Sequence, residues 1–590
     1  MKQTAHNQPA HGASRNGVAT ASDARQWISR TISEAKATSL APALQVHPLI
    51  ARLLVGRGLD VREAASDFLR PSLKRLSDPF AIAGVSAAVD RLMQAIEREE
   101  DVLIFGDYDV DGVTSTVLLT SILQEFGLKP RYVVPRRMDE GYGLSEAAVE
   151  RAMENGCPGL FIALDCGTNS RPIVDKLRTG GCEVLIIDHH QSTEALPEAV
   201  LVNPHVDGTS PESAKFFCTV GLVFKVVHGL VKRLREQGDA TAEALMLRDY
   251  LDLVALGTVA DLVPLKGENR ILVRFGLRTA HRSRRCGLHA LFEVSGLDPA
   301  QALFASDIAF RIGPRINASG RIAEATLPIE LLLTEDTVEA GRIARQLDAM
   351  NQERQTLERE ASSAAEAMVM EDPGAPGIVV HHADWHPGVV GIVAGKLARQ
   401  FHRPAIVMGG DDSDAAHGSA RSISGVNLLE LLKHCDPALE SWGGHPMAAG
   451  VSTKVDRVPE LRERFNQAIR EQYPNGFPAP QLTIDAWMAA EDLTSALFEE
   501  INALRPFGQE NPEPILGVRG VTLTRPPNIF GRGHCRFYLK GGDGQLLSCL
   551  GWGHGERPPP TGRPVELALK LGWNCFRGEV SPQATMIDWR

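Results

Sequence analysis

Residues 102–112 read VLIFGDYDVDG. Four apolar residues and a glycine run straight into three aspartates, Asp107, Asp109 and Asp111, spaced two apart. A short all-apolar run of this kind suits a strand buried on both faces, as in a parallel sheet. The stretch after it, VTSTVLLTSILQEFG (113–127), has the length and composition of a helix. Two later stretches repeat the arrangement. GLFIALDCGT (159–168) puts Asp165 after an apolar strand, and VLIIDHHQS (184–192) puts Asp188, His189 and His190 after another. Strands alternating with helices indicate an α/β layer around a mostly parallel sheet. Open sheets of this kind bind ligands beyond the carboxyl ends of their strands. Three acidic strand ends therefore point to one crevice.

A buried strand has no structural need of a carboxylate and two imidazoles at its end. Crowded acids cost several kcal/mol each to bury unless cations neutralise them. The D-x-D-x-D-G pattern also opens an EF-hand loop, but that loop requires a bidentate Glu at its twelfth position. Counted from Asp107, that position is Leu118. Asp261, in GTVADLVPL, adds a fourth acidic segment. Asp107, Asp109, Asp111, Asp165, His189 and Asp261 together make sense as one site for two divalent ions. Mainly oxygen ligands with one or two imidazoles suit Mn²⁺, with Mg²⁺ as the alternative, and the lack of thiolates disfavours zinc. Paired ions about 3.5–4 Å apart are a device for phosphoester hydrolysis.

The rest of the chain sets limits. Its 590 residues suffice for several domains, and 43% hydrophobic with 23% charged residues is ordinary for a globular protein. No run of about 18 apolar residues marks a membrane span. Nine scattered cysteines without a C-x-x-C pair suit a reducing cytoplasm and argue against a disulfide framework. The net charge of −11 is weak evidence on nucleic acid, because bound metals invert the local sign. The division expected is a disordered tail at 1–38, helices plus the first α/β domain at 39–334, and a long connecting helix at 335–371. A second α/β domain follows at 372–476, and Gly/Pro-punctuated short strands at 477–590 suit a small β-barrel of the OB type.

The motifs GDYDVDG, LDCGT, DHH and GTVAD, in this order, resemble those of the DHH phosphoesterase superfamily. HPLIARLLVGRGL, EGYGL, GENRILVRFGL, GPRINASGRI, WHPGVVGIVAGKL, GGHPMAAG and PFGQENPEP are similar to segments of the bacterial single-strand-specific DNA exonucleases of the RecJ family. The resemblance runs from about residue 40 to the C-terminus. It implies a DHH catalytic domain, a bridging helix, a DHH-associated domain and an OB-fold barrel. It also implies a two-metal 5′-to-3′ exonuclease that releases 5′-mononucleotides in DNA repair and recombination. Asp109 and Asp165 would hold one ion, with Asp107 nearby, and Asp111, Asp165, His189 and Asp261 the other. His190 would lie by the scissile phosphate, with Asp188 orienting a histidine. One departure stands out: Glu510 occupies a position where the family commonly has glycine.

Direction of digestion requires a pocket for a terminal phosphate. Arg421 and Ser419, in GSARSISG, are the candidates, because glycine flanks let backbone N–H groups approach a phosphate. Arg137, Arg315 and Arg321 are further candidates for phosphate contact, and His445 for facing the substrate. Phe530, Phe537, Tyr538, Trp552 and Trp573 in the barrel could stack bases, although Phe537 and Trp573 suit a core equally well. Arg532, Arg536 and Lys540 could track phosphates. The partners expected are single-stranded DNA, a helicase and a single-strand-binding protein, with a monomeric enzyme. Two other readings remain at this stage: a phosphodiesterase acting on short oligonucleotides, and a non-catalytic scaffold that delivers its barrel to single strands.

Overall fold

The computed structural model describes residues 25–136, 140–141, 143–192, 195–298, 301–322, 326–410, 414–531, 533–576 and 579–590. It divides into two compact units. One comprises Asp67–Glu353 with Arg505–Pro512, and the other the rest of the described chain.

The chain enters as a short strand, β1 (Gln26–Ser29), inside the stretch expected to be a tail. It pairs in parallel with β12 (Gln481–Ile484). The expectation of a tail to residue 38 followed the polarity of the first two dozen residues and passed over Trp27. Its indole Nε1 donates to Asp588 at 2.8 Å, and its ring lies 6.1 Å from that of Trp487. A helix then starts at Glu34, capped by Ser33.

The unit of residues 67–353 is built on a five-stranded sheet in the order β3-β2-β4-β5-β6. The strands are β2 (Val102–Gly106), β3 (Arg131–Val133), β4 (Leu160–Leu164), β5 (Glu183–Ile187) and β6 (Val200–Val202). Every pair is parallel. The two faces are divided by strand alternation. Ile104, Ile162, Leu164, Leu185 and Ile187 join the larger core on one side. Leu103, Phe105, Phe161, Ala163 and Ile186 join a smaller core on the other. Helices cover the larger core, among them α1 (Val110–Glu125), α2 (Thr219–Glu236) and α3 (Leu251–Ala260). Each large side chain buried here contributes about 1.5–3 kcal/mol, so register is strongly specified. The registers pair Gly106 with Leu164 and Leu164 with Ile187, which aligns the last residues of the three central strands in one row. Asp107, Asp165 and Asp188 are the next residues of each.

α4 (Gly313–Ile322) follows a single π-helical turn at Ile308–Ile312. The 35-residue helix α5 (Thr337–Glu371) begins in this unit and ends in the other. It corresponds to the long polar stretch expected to be a connecting helix, and pairs such as Arg354–Glu358 at 3.1 Å lie along it. In the other unit, the sheet order is β10-β11-β9-β8-β7, made of β7 (Ile378–His381), β8 (Ala405–Gly409), β9 (Ala415–Arg421), β10 (Ser441–His445) and β11 (Ala448–Lys454). Helix α6 (Pro387–Phe401) packs on β8 and β9. The C-terminal part is a seven-stranded sheet from Ala486 to Trp589, with the strands β15 (Asn528–Phe530) and β16 (His534–Lys540) at one edge. Cys157 and Cys182, read from the sequence as separate thiols, are joined by a disulfide with Cα atoms 6.4 Å apart. The turn at Gly180–Gly181 brings the start of β5 back beside the loop that leads to β4. Among the described residues no helix is long and apolar enough to cross a membrane.

Candidate active site

The acidic row at the strand ends is held by backbone. Asp109 caps α1, accepting from the N–H groups of Asp111 at 2.9 Å and Gly112 at 3.1 Å. The loop closes tightly, because a Cβ on Gly112 would stand 2.4 Å from the Asp107 carbonyl oxygen. Asp111 turns the other way and caps α2, accepting from Thr219 N at 2.7 Å and Val220 N at 2.8 Å. Asp165 sits in the left-handed region at φ 65°, a strained position for a side-chain-bearing residue. Its carboxylate accepts from the Thr219 hydroxyl at 2.8 Å. His189 Nε2 then lies 3.4 Å from Asp165 and 3.6 Å from Asp261. Two ligand groupings result, Asp165–His189–His190 and Asp111–His189–Asp261, each with its ligand atoms within 4.8 Å of one another.

Asp188 does something different. Its Oδ1 accepts from the backbone N–H groups of His189 at 2.7 Å and His190 at 3.1 Å, and meets His190 Nδ1 at 2.7 Å. Its Oδ2 accepts from Thr168 N at 3.1 Å. The carboxylate is thus fully engaged in orienting its neighbours.

The charges are out of balance. Burial, then the Asp165 and Asp107 charges, push Asp109 well above the usual carboxylate range. Burial, with Asp165 and Asp261, does the same to Asp111. Burial lifts Asp261 to about 6, the Asp165 charge adding to it and His189 opposing. For His189, burial disfavours the charged ring, but the surrounding carboxylates outweigh it and hold the imidazole at about 10. The hydrogen bond that His190 donates to the Asp188 carboxylate raises its imidazole to about 9. Burial opposes ionisation of Asp188, but the bond to His190 and its charge prevail and hold the carboxyl below its usual range. Asp261 Oδ2 is buried and accepts no hydrogen bond among the described residues. A buried acceptor without a partner, amid carboxylates that burial and repulsion disfavour, is what a divalent cation would relieve. The donor set of carboxylate oxygens and imidazoles fits such an ion.

Several supports escaped the sequence reading. Thr219 ties Asp111 to Asp165. Asn203 donates to the Thr168 hydroxyl at 2.9 Å and to the His190 carbonyl at 2.8 Å. Asn317 accepts from Val110 N at 3.1 Å. Asn317 lies in the GPRINASG stretch already singled out. Thr219 and Asn203 carry no local signal, because their work lies between segments far apart in sequence.

Comparison with known proteins separates the possible phosphoesterases. Residues 101–258 match the model of the DHH family N-terminal domain, 374–471 the DHHA1 domain and 484–588 the RecJ OB domain. A Bacillus subtilis protein named single-stranded-DNA-specific exonuclease RecJ is 38% identical over 95% of this chain and 70% of its own length. The chain belongs to the RecJ family. The Thermus thermophilus RecJ solved with Mn²⁺ superposes with a TM-score of 0.79 at 29% identity, covering 96% of this chain and 79% of that one. The same protein solved with Mg²⁺ gives 0.74 at 28% identity, over 96% and 78%.

The remaining candidates in this RecJ-family chain fall into three groups. In the sheet that carries the DHHA1 match, Ser419 and Arg421 lie on β9, side chains on one face. The space above them is left by Gly391 of α6, where a Cβ would stand 3.0 Å from Ser419 Oγ and 3.1 Å from Arg421 Nη2. Burial pulls the Arg421 guanidinium down from its ordinary range. His445 is exposed at the end of β10, and the register His445–Ala448–Arg421 puts it two strands from Arg421 in one row. Arg315 behaves otherwise than expected. Its guanidinium pairs with Asp348 at 2.8 Å and donates to the carbonyls of Arg311 at 2.6 Å and Val294 at 3.2 Å. With its fork so occupied it holds α4 in place. Arg137, Arg532 and the side chain of Arg321 lie outside the described residues.

In the barrel, β16 alternates strictly. Cys535, Phe537 and Leu539 are buried, while Arg536, Tyr538 and Lys540 point out. Phe537 is therefore core. Trp573 is half-buried, edge-on to Phe498 at 5.9 Å. Phe530 and Trp552 form an outer cluster, 5.9 Å apart, and His534 lies 5.7 and 5.0 Å from them. The Arg536 guanidinium lies 5.3 Å from the Phe530 centroid. His534 was not foreseen, although the same strand alternation puts it on the outer face.

Proposed function

We propose that this chain is a metal-dependent exonuclease specific for single-stranded DNA, working 5′ to 3′ and releasing 5′-mononucleotides. The observation that carries the reading is the alignment of Asp107, Asp165 and Asp188 at one edge of the sheet, with Asp111, His189 and Asp261 gathered beside them and Asp109 buried within reach of the Asp165 and Asp107 charges. The crystal structures of the Thermus relative with Mn²⁺ and Mg²⁺ support the same ions here. Asp107, Asp109 and Asp165 would hold one ion, and Asp111, Asp165, His189 and Asp261 the other. Such ions neutralise phosphate charge and lower the pKa of water.

The chain's own groups do the rest. Asp188 fixes His190 through Nδ1, which leaves Nε2 to donate to an oxygen of the scissile phosphate. Thr219 and the start of α2 keep Asp111 and Asp165 in register. Ser419 and Arg421, with the Gly391 opening above them, would receive the terminal phosphate that sets direction, and Arg137, Arg321 and His445 would add contacts along the strand. The outer face of the barrel would hold unpaired bases by stacking, which tolerates any sequence. A helicase that supplies unpaired strands and a single-strand-binding protein are the partners such an enzyme would meet, as a monomer in the cytoplasm.

The test is digestion of single-stranded oligonucleotides labelled at either end, with and without Mn²⁺, beside a dinucleotide. Mononucleotides released first from the 5′ end, faster from the long strand and only with the ion, are expected. Preference for the dinucleotide would instead place the chain among short-oligonucleotide phosphodiesterases.

A further inference from the structure

Phe310 exposes 74% of its surface, yet the turn that carries it is pinned. It lies in the π-helical turn Ile308–Ile312, whose end residues Ile308 and Ile312 are buried. Its neighbour Arg311 donates to the carbonyls of Ser295 at 2.7 Å and Gly296 at 2.8 Å. The exposure is therefore not fraying. π turns disturb regular helix geometry and occur often at functional sites.

The helix that continues from this turn lies against the metal crevice. A Cβ on Gly313 would stand 3.8 Å from Ala260 Cβ and from Val110 Cγ2. Asn317 accepts from Val110 N at 3.1 Å. A Cβ on Gly320 would meet the Tyr108 ring at 2.6 Å. Gly313, Asn317 and Gly320 are spaced four and three apart in α4, so they share one helical face, and Phe310 stands in the π turn that leads into that helix. That face looks onto Tyr108, Val110 and Ala260, the chain neighbours of Asp107, Asp109, Asp111 and Asp261. The π turn itself packs on α3, which ends at Ala260. Just beyond, Leu262 is held at φ 60° with 66% of its surface exposed. An isolated exposed apolar side chain needs no explanation. Two held open by constrained backbone, beside a crevice otherwise lined by charge, do.

We propose that Phe310 is a substrate-positioning residue: its ring stacks on one base next to the phosphodiester in the crevice, with Leu262 completing the apolar rim. The proposal rests on the single-strand exonuclease reading and deepens it. Stacking on an aromatic ring accepts any base, so sequence tolerance is kept. It also fixes the rotation of its nucleotide, and so the placing of the phosphate that follows. A base inside a duplex has both faces covered by its neighbours and cannot take this seat. Selection for unpaired strands would then begin at the reaction centre itself.

The experiment compares full-length wild type with Phe310→Ala and Phe310→Trp in Mn²⁺. The substrates are one single-stranded oligonucleotide and a set in which an abasic residue is moved through the first four positions from the digested end. For an intact strand, Phe310→Ala should lower kcat/KM by about 10-fold or more, within the range for losing one stacked base. Phe310→Trp should restore it. At one position the abasic strand should be cut equally by wild type and Phe310→Ala. Equal losses on intact and abasic strands at every position, or no loss on either, would overturn the stacking role while leaving the exonuclease standing. A wild type that shortens no single strand would overturn the function, and this proposal with it.

Discussion

The metal crevice and the outer face of the barrel solve opposite problems. In the crevice, side chains are buried and doubly committed. Asp111 caps one helix while standing among ligands, and Asp188 makes four contacts to keep one imidazole in place. On the barrel, Phe530, His534, Trp552 and Arg536 stand at the surface, and their relation to one another is loose, tilted or edge-on. Bond making needs positions held to fractions of an ångström. Holding a strand of any sequence needs only π faces and positive charge. Rigidity is therefore spent where chemistry occurs, and tolerance is kept where the polymer slides.

That contrast predicts separable losses, and the largest lies in the crevice. Asp165→Ala should lower hydrolysis by about 10³-fold or more, because in the proposed assignment this one carboxylate would serve both ions. Binding of a single strand, measured by fluorescence anisotropy without hydrolysis, should change only a few-fold. Equal losses in both readouts would erase the division. Asp188→Ala should come next. It leaves the ligand atoms of the acidic row in place but frees His190, and loss of such an orienting partner typically costs about 10–100-fold in activity. It should appear in kcat more than in KM.

Much of the crevice could be read from the sequence, because its signals are local. An apolar strand followed at once by Asp107, Asp165 or Asp188 states both the element and the chemistry, and parallel pairing does the aligning. The run of helix formers with sparse apolar positions marks α5 as a connecting helix by the same local logic. What escaped reading was long-range. Nothing near Thr219 announces that Asp111 and Asp165 are its partners. Arg315 illustrates the converse. Its glycine and small-residue flanks suggested phosphate, but its guanidinium meets Asp348, 33 residues away on another helix. Strand β1 was missed because one half-buried tryptophan outweighed a polar context that continued on either side of it.

On the barrel the prediction has the opposite sign of separation. Trp552→Ala and Phe530→Ala should each weaken strand binding by about 5- to 150-fold, the usual range for one stacked base. The single-turnover rate at saturating strand and Mn²⁺ should stay within about two-fold of wild type. Phe537→Ala serves as contrast. Phe537 is buried, so its loss should destabilise the barrel by about 3–5 kcal/mol in a denaturant titration. A Trp552 variant that melts early but binds normally would assign that cluster to packing.

The smallest effect tests whether the two regions respond only to their own residues. Glu510 adopts φ 55°, where glycine is at ease and a residue with a Cβ is strained. Its carboxylate pairs with Lys266, and Gln509 beside it accepts from Leu265 N at 2.9 Å. Both partners of the pair are nearly half exposed, so it contributes at most about 1 kcal/mol, and less in salt. Relief of the left-handed strain is of order 1 kcal/mol, against which stands the greater freedom of glycine in the unfolded chain. Glu510→Gly should therefore leave unfolding free energy within about 1 kcal/mol of wild type, with a more favourable change at high salt than at low. Glu510→Ala keeps the strain and loses the pair, so it should fall below both the wild type and the glycine variant. Hydrolysis and strand binding should be unmoved in each. If Glu510→Ala proved the more stable of the two, the turn would owe its shape to something other than backbone strain. If either variant altered hydrolysis, this turn would be mechanically coupled to the crevice, and rigidity there could not be credited to the caps and strand ends alone.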